Sequence, residues 1–103
     1  MAKKPPKHYL RLKERYRKVV DSVEALGQAL KIAGPLDEKA AQLIQLAAAA
    51  AIRSEGSVHS HVRRALEAGA SPEEIRHALI LLTSTIGFPT VAAALAWSAD
   101  ILD

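Results

Sequence analysis

The sequence predicts an all-α protein, and three observations carry that expectation. Alanine supplies 20 and leucine 13 of the 103 residues, so a third of the chain is two strong helix formers. The aromatic residues are only Tyr9, Tyr16, Phe88 and Trp97, few for a β-sandwich. Apolar residues recur at three- and four-residue steps, whereas strand-like alternation appears nowhere. A chain of this length forms one domain and buries about 60–65% of its unfolded surface, which leaves stability marginal unless the chain associates.

Residues 1–8, containing Pro5 and Pro6, are expected to form a disordered basic arm, and residues 9–103 a single helical domain. The first helix is expected from about Tyr9 to Ile32, with Tyr16, Val19, Val20, Val23, Leu26 and Leu30 on one face and Gly34-Pro35 ending it. A second begins near Asp37 or Glu38, whose charges suit a helix N-terminus, and passes through five consecutive alanines to about Arg53. Ser54-Glu55-Gly56-Ser57 breaks it. A third extends to Glu67 or Ala68 with Gly69 at the position after the cap. Ser71-Pro72-Glu73-Glu74 then reads as a capping box with proline at the first helical position. The fourth helix is expected to stop at Gly87-Phe88-Pro89, and a fifth to run from about Pro89 to Leu102.

Between Arg76 and Asp100 lie 23 residues without Asp, Glu, Lys or Arg. Gly87 and Pro89 divide them into two helices too short to span about 30 Å of hydrocarbon, so no membrane span is expected. Helices with so little polar surface exceed what a monomer of this size can hide. Obligate homo-oligomerisation follows as an expectation.

The absence of cysteine excludes a disulfide framework, a Cys-ligated zinc or iron-sulfur centre and thiol chemistry. The net charge of +3 divides unevenly: residues 1–18 hold eight Lys or Arg against one acid, and the remainder six against ten. Basicity confined to an arm is usually the solvated start of a helix, so nucleic-acid binding is not expected. The arm is not followed by an apolar stretch of signal-peptide length, and a cytoplasmic location is the expectation.

One polar residue lies inside an apolar stripe. Val58, Val62, Ala65 and Leu66 define the inward face of the third helix, and His61 falls within it. Ser57 shares that face one turn earlier, and Ser54 follows at seven residues if the chain there is near helical. Such a histidine is either a satisfied core residue or a general acid/base whose proton affinity is set by burial and a polar neighbour. Glu55 and His59 share a different face at four-residue spacing. His59 and His61 are two residues apart and point about 200° apart on a helix, so they cannot share an ion; neither a metal nor a cofactor is expected. His8 and His77 have no partners at ligand spacing, and no strand-turn-helix elbow surrounds either serine to support a Ser-His hydrolase.

From Ser54-Glu55-Gly56-Ser57-Val58-His59-Ser60-His61-Val62-Arg63-Arg64-Ala65-Leu66-Glu67-Ala68-Gly69 through the Ser71 capping box to Gly87-Phe88-Pro89, the chain resembles the carboxymuconolactone decarboxylase and alkyl hydroperoxidase D-like (AhpD-like) family. The resemblance covers about Leu36 to Leu95 and implies an AhpD-like bundle of about five helices, assembled as a homotrimer or homohexamer. The hydroperoxidase branch carries Cys-x-x-Cys-x-x-x-His with a glutamate twelve residues before the first cysteine. By position the histidine is His61, the cysteines fall on Ser54 and Ser57, and the glutamate falls on Gln42. A serine hydroxyl forms neither a useful nucleophile for peroxide nor a disulfide. The decarboxylase branch resembles this chain in His-Val-Arg-x-Ala-Leu and needs an acid/base with a cation for the substrate carboxylate. His61 would be the acid/base, and Arg53, Arg63 or Arg64 the cation, although the helical stripe places Arg63 and Arg64 outward unless a neighbouring subunit covers them. That branch usually has an acid where this chain has Ser57. Three readings follow: acid/base chemistry on a small carboxylate-bearing molecule, with Gln42, Ser54 and Ser57 around His61; a noncatalytic or ligand-binding member; and a peroxidase, which the side chains oppose.

Overall fold

The computed structural model describes residues 5–103, and among them every regular element is helical. The helices are α1 (Lys7–Arg15), α2 (Arg17–Lys31), α3 (Glu38–Ala51), α4 (Glu55–Glu67), α5 (Pro72–Ile80), α6 (Thr83–Ile86) and α7 (Phe88–Leu102). None is long and apolar enough to cross a membrane. They fall into two compact units, one holding α1 and α2 and the other beginning at Glu38.

Seven segments stand where five helices are expected, because two of the expected helices are interrupted. The first breaks at Tyr16 (φ −124°, ψ 53°). Tyr9 Oη and Lys13 Nζ both donate to the carboxylate of Glu24, the latter at 2.9 Å. A straight helix would separate Lys13 from Glu24 by about 16 Å along its axis, so the chain turns back at Tyr16 and α1 packs on α2. The second interruption lies at Leu81–Leu82, where Thr83 Oγ1 donates to the Ile80 carbonyl at 2.7 Å, local bonding that competes with the helical ladder. Part of the arm expected over residues 1–8 lies outside the described residues; Pro6 caps α1, and Lys7 and His8 belong to that helix.

In the second unit α4 packs against both α3 and α7, and α5 closes on the same two helices. Leu46, Ala49 and Ala50 from α3 meet Val58, Val62 and Ala65 from α4, Ile75 and Leu79 from α5, and Ala94 from α7. The alanines let these helices approach closely, while leucine, isoleucine and valine fill the remaining volume.

Two helix ends fix the placement of α4. At its start the Ser54 side chain accepts a hydrogen bond from Ser57 N–H. At its end Ala70 N–H bonds the Ala65 carbonyl and Gly69 N–H the Leu66 carbonyl, with Gly69 at φ 96°, which is the Schellman arrangement. The end of α3 repeats that pattern, with Ser54 N–H on the Ala49 carbonyl and Arg53 N–H on the Ala50 carbonyl. There the left-handed position, φ 57°, is filled by Arg53 rather than glycine. The capping box at Ser71 forms as its sequence indicates, with both reciprocal bonds present.

Candidate functional site

The inward face of α4 brings His61 against α3. His61 Nδ1 lies 2.8 Å from Gln42 Oε1. A carbonyl oxygen only accepts, so Nδ1 carries the proton and donates, and the lone pair resides on Nε2. Gln42 is 1% exposed, so its amide is fixed by packing and fixes the imidazole in turn. His61 itself is half-buried.

Burial holds the pKa of His61 below its ordinary value of 6.5, and the positive charge of Arg64 lowers it further. Both effects disfavour the imidazolium. At neutral pH His61 is therefore a neutral imidazole with a fixed tautomer and an unprotonated Nε2, the state a general base requires.

The remaining expected site residues divide. Ser57 is one turn before His61 on α4, but the partner His61 takes is Gln42. The Ser54 oxygen is engaged as the α4 cap, accepting from Ser57 N–H at 3.4 Å. Of the three candidate cations, Arg64 acts electrostatically on His61 although its side chain is exposed. Arg63 is half-buried, and burial followed by Arg64 lowers its pKa. Arg53 donates from Nη2 to Thr90 Oγ1 on α7 at 2.9 Å, a link that no spacing rule reveals because 37 residues separate the pair. His59 turns to α7 instead, its Nε2 2.9 Å from Asp100 Oδ2. The helical phase separates the two histidines as expected.

The hydrogen-bonded pair of Gln42 and His61 joins the packed helices α3 and α4 of an all-α unit. A model of the carboxymuconolactone decarboxylase family matches residues 17–100. The chain belongs to the carboxymuconolactone decarboxylase family. It is a cysteine-less member. The crystal structure of an apo carboxymuconolactone decarboxylase family protein from Legionella pneumophila is similar, with a TM-score of 0.75 over 93% of this chain and 88% of that one. The sequences are 23% identical, so the likeness is one of fold. No curated protein matches the chain.

Proposed function

We propose that this carboxymuconolactone decarboxylase family protein performs acid/base chemistry at His61 on a small carboxylate-bearing molecule, without thiol redox activity. The observation that carries this reading is the 2.8 Å bond from His61 Nδ1 to Gln42 Oε1 on a half-buried imidazole. Nε2 takes a proton from the substrate, and the resulting imidazolium returns it. Gln42 holds the ring, because a neutral amide can orient a histidine but cannot itself relay a proton as a carboxylate would. Ser57 on the same face, and Ser54 at the helix start, supply hydroxyls for substrate orientation. Burial keeps His61 unprotonated, and Arg64 adds to that effect while supplying a positive field that attracts a carboxylate.

The direct test is turnover of a panel of small lactone acids and β-keto acids, followed by carbon dioxide release and by solvent deuterium incorporation. The expected outcome is turnover or exchange that falls at least a hundredfold in His61→Gln while the helical spectrum is kept. Equal rates in the two proteins would remove His61 from the chemistry.

A second reading is supported by one observation: among the described residues no buried side-chain nitrogen or oxygen lacks a hydrogen-bond partner. In that reading Gln42 and His61 satisfy each other and the protein binds or assembles without catalysis. His61→Ala separates the two, since a purely structural pair predicts a lowered melting temperature with no chemical activity to lose. Peroxide reduction is opposed by Ser54 and Ser57, which supply no thiolate.

For assembly, the reading is a homotrimer or homohexamer. Val19, Val23, Leu26 and Leu30 on α2 are each more than half exposed, as are Leu81 and Phe88. A stripe of that size on an isolated chain is the signature of a surface covered by another subunit.

A further inference from the structure

A second polar cluster lies on the opposite side of α4 from His61. Glu55 and His59 stand one helical turn apart, and the packing of α7 on α4 brings Asp100 to them. His59 Nε2 is 2.9 Å from Asp100 Oδ2 and 4.0 Å from Glu55 Oε2, and one ligand atom from each of the three residues lies within 4.8 Å of the other two. We propose that Glu55, His59 and Asp100 form a binding site for a first-row divalent cation of the zinc class.

An imidazole nitrogen and two carboxylate oxygens converge here, a donor set that suits a divalent cation. A proton on Nε2 satisfies Asp100 at 2.9 Å and leaves Glu55 at 4.0 Å outside hydrogen-bond reach. A metal ion satisfies all three. Bond lengths of about 2.0–2.2 Å place neighbouring ligand atoms about 3–3.5 Å apart, so the observed separations need only small side-chain adjustments.

The donors are also carried on rigid elements. Ser54 caps the first turn of α4, from which Glu55 projects. The buried residues Val58, Val62 and Ala94 anchor α4 and α7 in one core. Mixed imidazole and carboxylate ligation favours zinc and its neighbours over magnesium or calcium, which prefer all-oxygen shells. Glu55 and Asp100 are exposed, so the cation has an entry path and keeps solvent-facing coordination positions. The sequence shows only the Glu55 and His59 half of this cluster, because Asp100 is 41 residues from His59.

The test is calorimetric titration of the full chain with zinc chloride after treatment with EDTA, alongside magnesium chloride. The proposal expects one zinc per chain, a raised melting temperature that EDTA reverses, and no response to magnesium. His59→Ala, Glu55→Gln and Asp100→Asn should each weaken zinc binding at least tenfold, whereas His61→Gln should leave it unchanged. Helical content checks that the variants are folded, and the three substitutions fall at partly or fully exposed positions. Absence of zinc binding, or binding undiminished in both His59→Ala and Asp100→Asn, would overturn the site and leave an ordinary His59–Asp100 hydrogen bond.

Discussion

The identity of one side chain decides which chemistry the His61 site can do. A thiolate at position 57 would make a nucleophile; a serine there does not, and the acid/base role proposed above falls to His61. Its lowered pKa has a consequence for stability. The unfolded chain protonates this histidine near 6.5, whereas the folded chain, with burial and Arg64 opposing the charge, protonates it at lower pH. The stability contributed by keeping His61 neutral is complete above about pH 6.5 and is lost as pH falls through the folded value. Melting curves of the wild type should decline across that window, and His61→Gln should flatten the decline. Arg53 makes a separate residue-scale case. It holds a left-handed backbone, φ 57°, which costs an L-residue roughly 1–2 kcal/mol. Arg53→Ala and Arg53→Gly both remove the bond to Thr90, but only glycine also releases the strain. Urea unfolding should therefore find Arg53→Gly more stable than Arg53→Ala by about 1 kcal/mol.

At the scale of elements, signals that act over a few residues were legible. The Ser71 capping box, the Gly69 stop and the C-terminal end of α4 follow from hydrogen bonds that span three to five residues, and the stripe that singled out His61 follows from helical phase. The expected break over residues 54–57 is shorter, since α4 already begins at Glu55 with Ser54 as its cap. Gln42 came from a family pattern rather than from periodicity, and its bond to His61 spans 19 residues. The turn at Tyr16, the Arg53–Thr90 link and the approach of Asp100 to His59 were not legible. Each depends on how helices pack, and no local residue announces it. The interruption at Thr83 lay between, since a mid-helix threonine allows such a bond without requiring it. Two element-scale outcomes are expected. Ser71→Ala should cost about 1 kcal/mol by removing the α5 cap. Leu46→Ala should cost about 2–5 kcal/mol, because Leu46 is fully buried where α3 meets the core and the cavity left behind collapses only in part. Chemical denaturation monitored by circular dichroism measures both.

For assembly, the apolar face of α2 matters most, because the α1–α2 unit does not cover it by itself. Tyr16, Val19, Val23, Leu26 and Leu30 alternate steps of three and four residues, the spacing of a helix that packs on another helix. Each is more than half exposed, and burying an aliphatic side chain contributes roughly 1.5–3 kcal/mol. Light scattering should return the mass of three or six chains, and Val23→Glu with Leu26→Glu should lower it. A monomer at micromolar concentration would remove the assembly reading. A covered α2 would also complete what the small core leaves undone, since a chain of this length has limited apolar surface to bury internally.

The central claim is that His61 is held as a neutral base by Gln42, and nuclear magnetic resonance titration of its ring tests that claim most directly. The account predicts a proton on Nδ1 at neutral pH and a midpoint below 6.5, with both signatures altered in Gln42→Leu. A midpoint at or above 6.5, or a neutral ring protonated on Nε2, would contradict it.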